Sequence, residues 1–81
     1  MNLEGIRVLV VGFGITGLPL VEFLHKKGAR ITITDEKNEQ QLGGSLEKVK
    51  HIPLNKVFGG HPFDLEVYGK PEMIIVSPGV P

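Results

Sequence analysis

The residue pattern predicts an α/β fold built on an open, all-parallel sheet. Three observations carry that prediction. Short apolar runs rich in β-branched residues recur at Ile6–Val11, Ile31–Thr34 and Met73–Val76. An apolar stripe at helical spacing, Leu18, Val21 and Leu24 with Leu20 beside it, lies between the first two runs. Gly12, Gly14 and Gly17 join the first run to that stripe. The first run, Ile6–Val11, is nearly continuous rather than alternating, which marks a strand covered on both faces, the habit of parallel sheets.

Taken in order, Ile6–Val11 reads as strand 1, ending in glycine. A helix is expected from about Thr16 to Lys27. Pro19 falls in its first turn, where a missing N–H costs little. Lys26 and Lys27 suit the negative end of the helix dipole, and Gly28 is placed as the C-terminal cap. Ile31–Thr34 is strand 2, closed by Asp35. The polar stretch Glu36–Gly44 reads as loop, after which Ser45 is placed to cap a short helix running to about His51. Lys56–Phe58 is a short strand 3 ended by Gly59 and Gly60, Pro62–Val67 has room for one helical turn, and Met73–Val76 is strand 4. Strands alternating with helical segments give a Rossmann-like doubly wound sheet with helices on both faces. The natural strand order is 3-2-1-4. The chain then reverses its winding direction between strands 1 and 4, and ligands of such sheets bind there, at the C-terminal ends of the strands. The glycine loop leaves strand 1 at that point, and Ser77-Pro78-Gly79 leaves strand 4 there.

The glycines match G-x-G-x-x-G, a spacing with a physical logic. Gly12 permits a tight turn, Gly14 lets the backbone approach a phosphate with no Cβ in the way, and Gly17 lets helix and strand pack closely. The first helical N–H groups then face an anion, helped by the dipole, and Thr16 can add a hydroxyl. The motif alone is weak evidence. Here it follows a strand, opens a helix, and has an acid at the end of strand 2, which is the context it requires. A turn that merely needs glycine to connect strand and helix would show the same residues. Asp35 is placed to accept hydrogen bonds from a ribose diol, and its carboxylate disfavours a 2′-phosphate, so NADP fits less well than an unphosphorylated ribose. A solvated loop acid or helix cap is the plainer reading of Asp35, a strand-ending turn that of Ser77–Gly79, and a solvated charge that of Lys37.

Composition removes several classes. The chain has 81 residues, room for one small domain, with a formal net charge of zero. Nucleic-acid and anionic-membrane surfaces want a basic excess, so no nucleic acid or membrane partner is expected. With no cysteine, disulfides, thiolate metal sites and thiol catalysis are excluded, in keeping with a cytoplasmic protein. No apolar run reaches the length of a membrane span, and Met1-Asn2-Leu3-Glu4 does not open a signal peptide. His25, His51 and His61 are scattered, without the i, i+4 spacing of a helical metal site, so no metal is expected. G-x-x-x-x-G-K-[ST] is absent, and so is any signature of a nucleophilic triad. The residues themselves thus lead as far as a mononucleotide or dinucleotide half-site.

The stretch Val8–Leu18, followed by Phe23-Leu24, Gly28-Ala29 and Thr32-Ile33-Thr34-Asp35, also resembles the N-terminal domain of the Mur ligases, in their D-glutamate-adding branch. Lys56-Val57, Gly59-Gly60-His61-Pro62 and Val76-Ser77-Pro78-Gly79-Val80-Pro81 resemble the later part of the same domain, so the likeness spans nearly the whole chain. The resemblance implies a uridine-diphosphate-binding domain for UDP-N-acetylmuramoyl-L-alanine, with Ile15, Thr16, Asp35, Lys37 and Gly79 at the UDP site. The family position of Lys37 often holds arginine. With the motif residues Gly14 and Gly17 and the strand-4 exit Ser77-Pro78, these complete the expected site. The resemblance further implies that residues 1–81 are one domain, cut short at its C-terminal end, of an enzyme that uses ATP and Mg in a central and a C-terminal domain absent here. No catalytic group is then expected among these residues. The competing reading, the NAD-binding half of a dehydrogenase or of a nucleotide-sensing regulator, uses the same loop and the same acid.

Overall fold

Six elements follow one another in the computed structural model of the chain, which describes residues 2–59 and 68–76 and, at residues 14–16, the backbone alone. They are β1 (Arg7–Val11), α1 (Gly14–Lys26), β2 (Arg30–Asp35), α2 (Gly43–Glu47), β3 (Leu54–Phe58) and β4 (Met73–Val76). The strands form one sheet in the order β3-β2-β1-β4, every neighbouring pair parallel, as the alternation of elements predicted.

Register fixes which side chains share a face. Val8 pairs with Ile31 and Met73, and Val10 with Ile33 and Ile75. Val8, Val10, Ile31 and Ile33 are buried in one cluster with Val21 and Leu24 of α1 and with Leu42, Val49 and Ile52, which flank α2. Both helices of the described residues therefore cover the same face. On the other face Leu9, Thr32 and Thr34 are buried, and the Thr32 hydroxyl donates to the Tyr68 carbonyl at 3.2 Å. The helical turn expected at Pro62–Val67, and with it the helical cover expected on this second face, lies outside the described residues.

Strands β1 and β2 differ from expectation by one residue at their ends, and three elements differ by more. Helix α1 begins at Gly14, not Thr16, and ends at Lys26. An apolar stripe marks where a helix is buried, not where its hydrogen bonds begin, and glycines 14 and 17 contribute nothing to the stripe. Pro19 is consequently the sixth helical residue rather than a first-turn residue, and its ring removes the bond that would reach the carbonyl four positions back. Helix α2 spans Gly43–Glu47, so Ser45 lies inside it and caps nothing; Leu42 occupies the cap position with no side-chain hydrogen bond. Its placement follows from burial of Leu42 and Val49 on either side, with Leu46 packed between them. Strand β3 starts two residues early, at Leu54, because Leu54 pairs with Ile31.

Gly28 behaves as predicted. Its φ of +87° is the left-handed conformation of a helix C-terminus, and its N–H reaches the His25 carbonyl at 3.0 Å. A Cβ there would lie 3.0 Å from the Cα of Glu4, so the N-terminal segment also depends on this glycine.

Candidate functional site

The parallel register brings the C-terminal ends of all four strands to one rim. Val11 pairs with Thr34 on one side and with Val76 on the other, and Asp35 pairs with Phe58. The exits of β1 and β4 therefore stand side by side at the point where strand order reverses, which is where open α/β sheets bind their ligands.

The glycine loop occupies this point. Gly12 has φ +85°, a conformation that an L side chain adopts only with strain, so the tight turn assigned to it is present. Gly14 is the first residue of α1, which places the helix N-terminus within the motif. Gly17 meets the predicted need for close approach in a specific way. A Cβ on Gly17 would sit 2.9 Å from the Gly12 carbonyl oxygen and 3.4 Å from the Phe13 ring. The turn is thus folded back against the first turn of its own helix, and the Phe13 carbonyl accepts the Gly17 N–H.

Two participants go beyond the sequence reading. Phe13 is the cap residue of α1, yet it offers no side-chain acceptor, and its ring is 1% exposed, packed into the core beneath the loop. Asp35, at the end of the neighbouring strand, accepts the N–H of this cap residue itself. Its Oδ2 accepts the Phe13 N–H at 2.9 Å and its Oδ1 accepts the Lys37 N–H at 3.0 Å. The Gly59 N–H donates to the Asp35 carbonyl at 3.0 Å and to that of Lys37 at 3.3 Å, which ties the end of β2 to the exit of β3. Phe13 carried a signal in the sequence, a large apolar residue inside a loop motif. The bond from Asp35 to its amide carried none, because backbone partners 22 residues apart leave no trace in composition.

Of the predicted site residues, Gly14, Gly17, Asp35 and Lys37 are brought to this rim. The side chains of Ile15 and Thr16, and all of Ser77, Pro78 and Gly79, lie outside the described residues; β4 carries the chain to within one residue of Ser77 at the expected position. The described concavities lie elsewhere. One of about 470 Å³, lined among others by Arg7, Arg30, Thr32 and Asn55, is at the opposite, N-terminal end of the strands. This is no conflict with the rim, since an anion held by backbone N–H groups at a helix terminus needs converging donors rather than an enclosed cavity. The fold does bring two of the scattered histidines together, His25 and His51, with ring centroids 6.2 Å apart. Among the described residues there is no group of three or more His, Asp or Glu side chains arranged to hold a metal ion, and no helix long and apolar enough to cross a membrane.

Comparison with known proteins adds a finding of a different kind. Residues 6–81 match the family described as Mur ligase MurD-like, N-terminal domain. Among curated proteins, the chain is 37% identical over 81 residues to a UDP-N-acetylmuramoylalanine--D-glutamate ligase of Alkaliphilus metalliredigens, matching all of this chain and 18% of that protein. It is 40% identical over 81 residues to the protein of that name from Alkaliphilus oremlandii, with the same coverage. To the one from Bdellovibrio bacteriovorus it is 40% identical over 80 residues, 99% of this chain and 17% of the relative. The chain thus spans less than a fifth of the length of these relatives.

Proposed function

We propose that this chain, which belongs to the MurD-like N-terminal domain family of the Mur ligases, binds the uridine diphosphate end of UDP-N-acetylmuramoyl-L-alanine at the rim formed by the glycine loop and the exit of β4. The observation that carries the proposal is the glycine turn at that rim. Gly12 at φ +85°, with Gly17 packed against its carbonyl, presents the N-terminus of a 13-residue helix where strand order reverses. That arrangement suits a diphosphate, because unpaired N–H groups and the positive end of the helix dipole point to one place. In this reading Gly14, Ile15, Thr16 and Gly17 hold the phosphates, Asp35 and Lys37 border the nucleoside, and Ser77, Pro78 and Gly79 close the far side. The relatives named as D-glutamate ligases support the choice of uridine over nicotinamide nucleotides.

The enzyme to which such a domain belongs would be an ATP- and Mg-dependent amide ligase of peptidoglycan synthesis in the cytoplasm. Residues 1–81 hold no ATP loop of the G-x-x-x-x-G-K-[ST] kind, so their part is to bind and orient the substrate's nucleotide end. Calorimetric titration of the chain with UDP and with NAD, side by side, tests the assignment. Tighter binding of UDP is expected. Tighter binding of NAD would replace the ligase reading with that of a dinucleotide-binding half-domain, which uses the same loop and acid.

A further inference from the structure

We infer that Asp35 is a positioning residue that fixes the glycine loop before any nucleotide arrives, and not only a contact to the nucleoside. The inference rests on the nucleotide-site reading for its functional meaning, but its evidence is geometric. The last residue of β2 has both carboxylate oxygens engaged by backbone donors, Oδ2 by Phe13 N–H at 2.9 Å and Oδ1 by Lys37 N–H at 3.0 Å. Its own carbonyl is held by the Gly59 N–H at 3.0 Å, so the carboxylate is presented from a backbone anchored to both neighbouring strands.

The Phe13 amide is the critical partner. It stands immediately before α1, where no intrahelical acceptor exists. The Phe13 ring is 1% exposed and belongs to the hydrophobic core, so the residue that carries this N–H is held from the side-chain side. A loop with glycines on both sides of Phe13 has many conformations open to it. The buried ring fixes one side of the residue and Asp35 fixes the other, and together they define where the N–H groups of the first helical turn point. A carboxylate has about four acceptor sites, so holding two amides leaves capacity for a nucleoside hydroxyl. One acid can therefore set the loop and border the ligand, which makes the two roles separable only by looking at the chain without ligand.

The test measures amide hydrogen exchange by NMR on the ligand-free 81-residue chain, in the wild type, Asp35→Ala and Asp35→Asn, followed by UDP titration of each. A charge-assisted bond of this kind corresponds to roughly a 10- to 100-fold change in an equilibrium. Exchange at Phe13 and Lys37 should therefore rise about that much in Asp35→Ala, with UDP binding weakened in parallel. Asp35→Asn keeps one acceptor oxygen and should leave one of the two amides protected. Unchanged exchange in Asp35→Ala, with UDP binding weakened, would overturn the inference and leave Asp35 as a nucleoside contact only. Raised exchange with UDP affinity unchanged would also overturn it, since the loop would then need no positioning for binding. If Asp35→Ala fails to fold, Asp35→Asn decides: one of the Phe13 and Lys37 amides should exchange faster than in the wild type, and unchanged exchange at both would overturn the inference. A chain that binds no UDP in any form would remove the functional reading while leaving the loop-positioning result standing on its exchange data.

Discussion

Replacing Gly17 by alanine isolates the close approach on which the loop is built. A Cβ at this position would lie 2.9 Å from the Gly12 carbonyl oxygen, a distance real Cβ atoms essentially never show, and the obstacle is backbone rather than the end of a flexible side chain. Relief requires the turn to move off its own helix, and overpacking of this kind costs about 1–3 kcal/mol. Alanine also returns up to about 1 kcal/mol of helix propensity, so the measured loss understates the strain. Gly44→Ala supplies the correction. Gly44 lies in α2, its added Cβ would meet nothing within 4 Å, and only the propensity gain applies. The two variants should therefore move stability in opposite directions. Their difference, about 1–3 kcal/mol, corresponds to roughly 5–20 °C in melting temperature for a domain of this size. Thermal denaturation followed by circular dichroism measures both, and UDP titration should show Gly17→Ala weakened and Gly44→Ala unchanged. If both variants shift the melting temperature equally, Gly17 is an ordinary helical glycine and the packing argument for the motif is wrong.

Two further outcomes follow from burial. Phe13→Ala removes a ring that is 1% exposed and should cost about 3–5 kcal/mol, enough to leave a small domain largely unfolded by circular dichroism; a variant that retains native stability would show that the ring is not part of the core. On β4, Ile74 and Val76 are 55% and 60% exposed, and among the described residues no strand pairs with its outer edge, so the 81-residue chain should self-associate at high concentration and Ile74→Lys should reduce that association. Sedimentation of the wild type as a clean monomer at high concentration would refute it.

The legible parts of this fold are those the residues mark directly, by an apolar run, by alternation of elements or by a need for positive φ. Met73–Val76 was placed to the residue because it is apolar throughout, and a strand of a parallel sheet is read from its apolar run. The strand order followed from alternation of elements, and Gly12 and Gly28 from the need for positive φ. Helix α2 departs from expectation because Ser45, a residue type that favours helix starts, lies inside it. The better signal was the apolar set Leu42, Leu46 and Val49, at spacings of four and three, whose burial decides where the turn of helix must sit. The preceding loop is also more ordered than its polarity suggested. Asn38 and Gln41 exchange hydrogen bonds between each side chain and the other's backbone N–H, both at 2.9 Å.

The candidate site shows the same division at closer range. A motif lists residues, but what it builds is a set of backbone donors, and the direction of those donors is decided by contacts the motif does not contain. Phe13 occupies a position where any residue would satisfy G-x-G-x-x-G, yet its buried ring and the bond from its amide to Asp35 hold the turn. Asp35 was read from its place at the end of β2 as a partner for a ribose. In the folded chain the same place also puts it beside the amide that opens the loop, since β1 and β2 are neighbours in register to Val11 and Thr34. A residue level with the phosphate loop on the adjacent strand can reach both the ligand and the loop. The acid 18 residues after the last glycine thus has a reason to be there that precedes any nucleotide: while the Gly12 N–H finds the Thr34 carbonyl, it is the Asp35 side chain that takes the next N–H of the turn, that of Phe13.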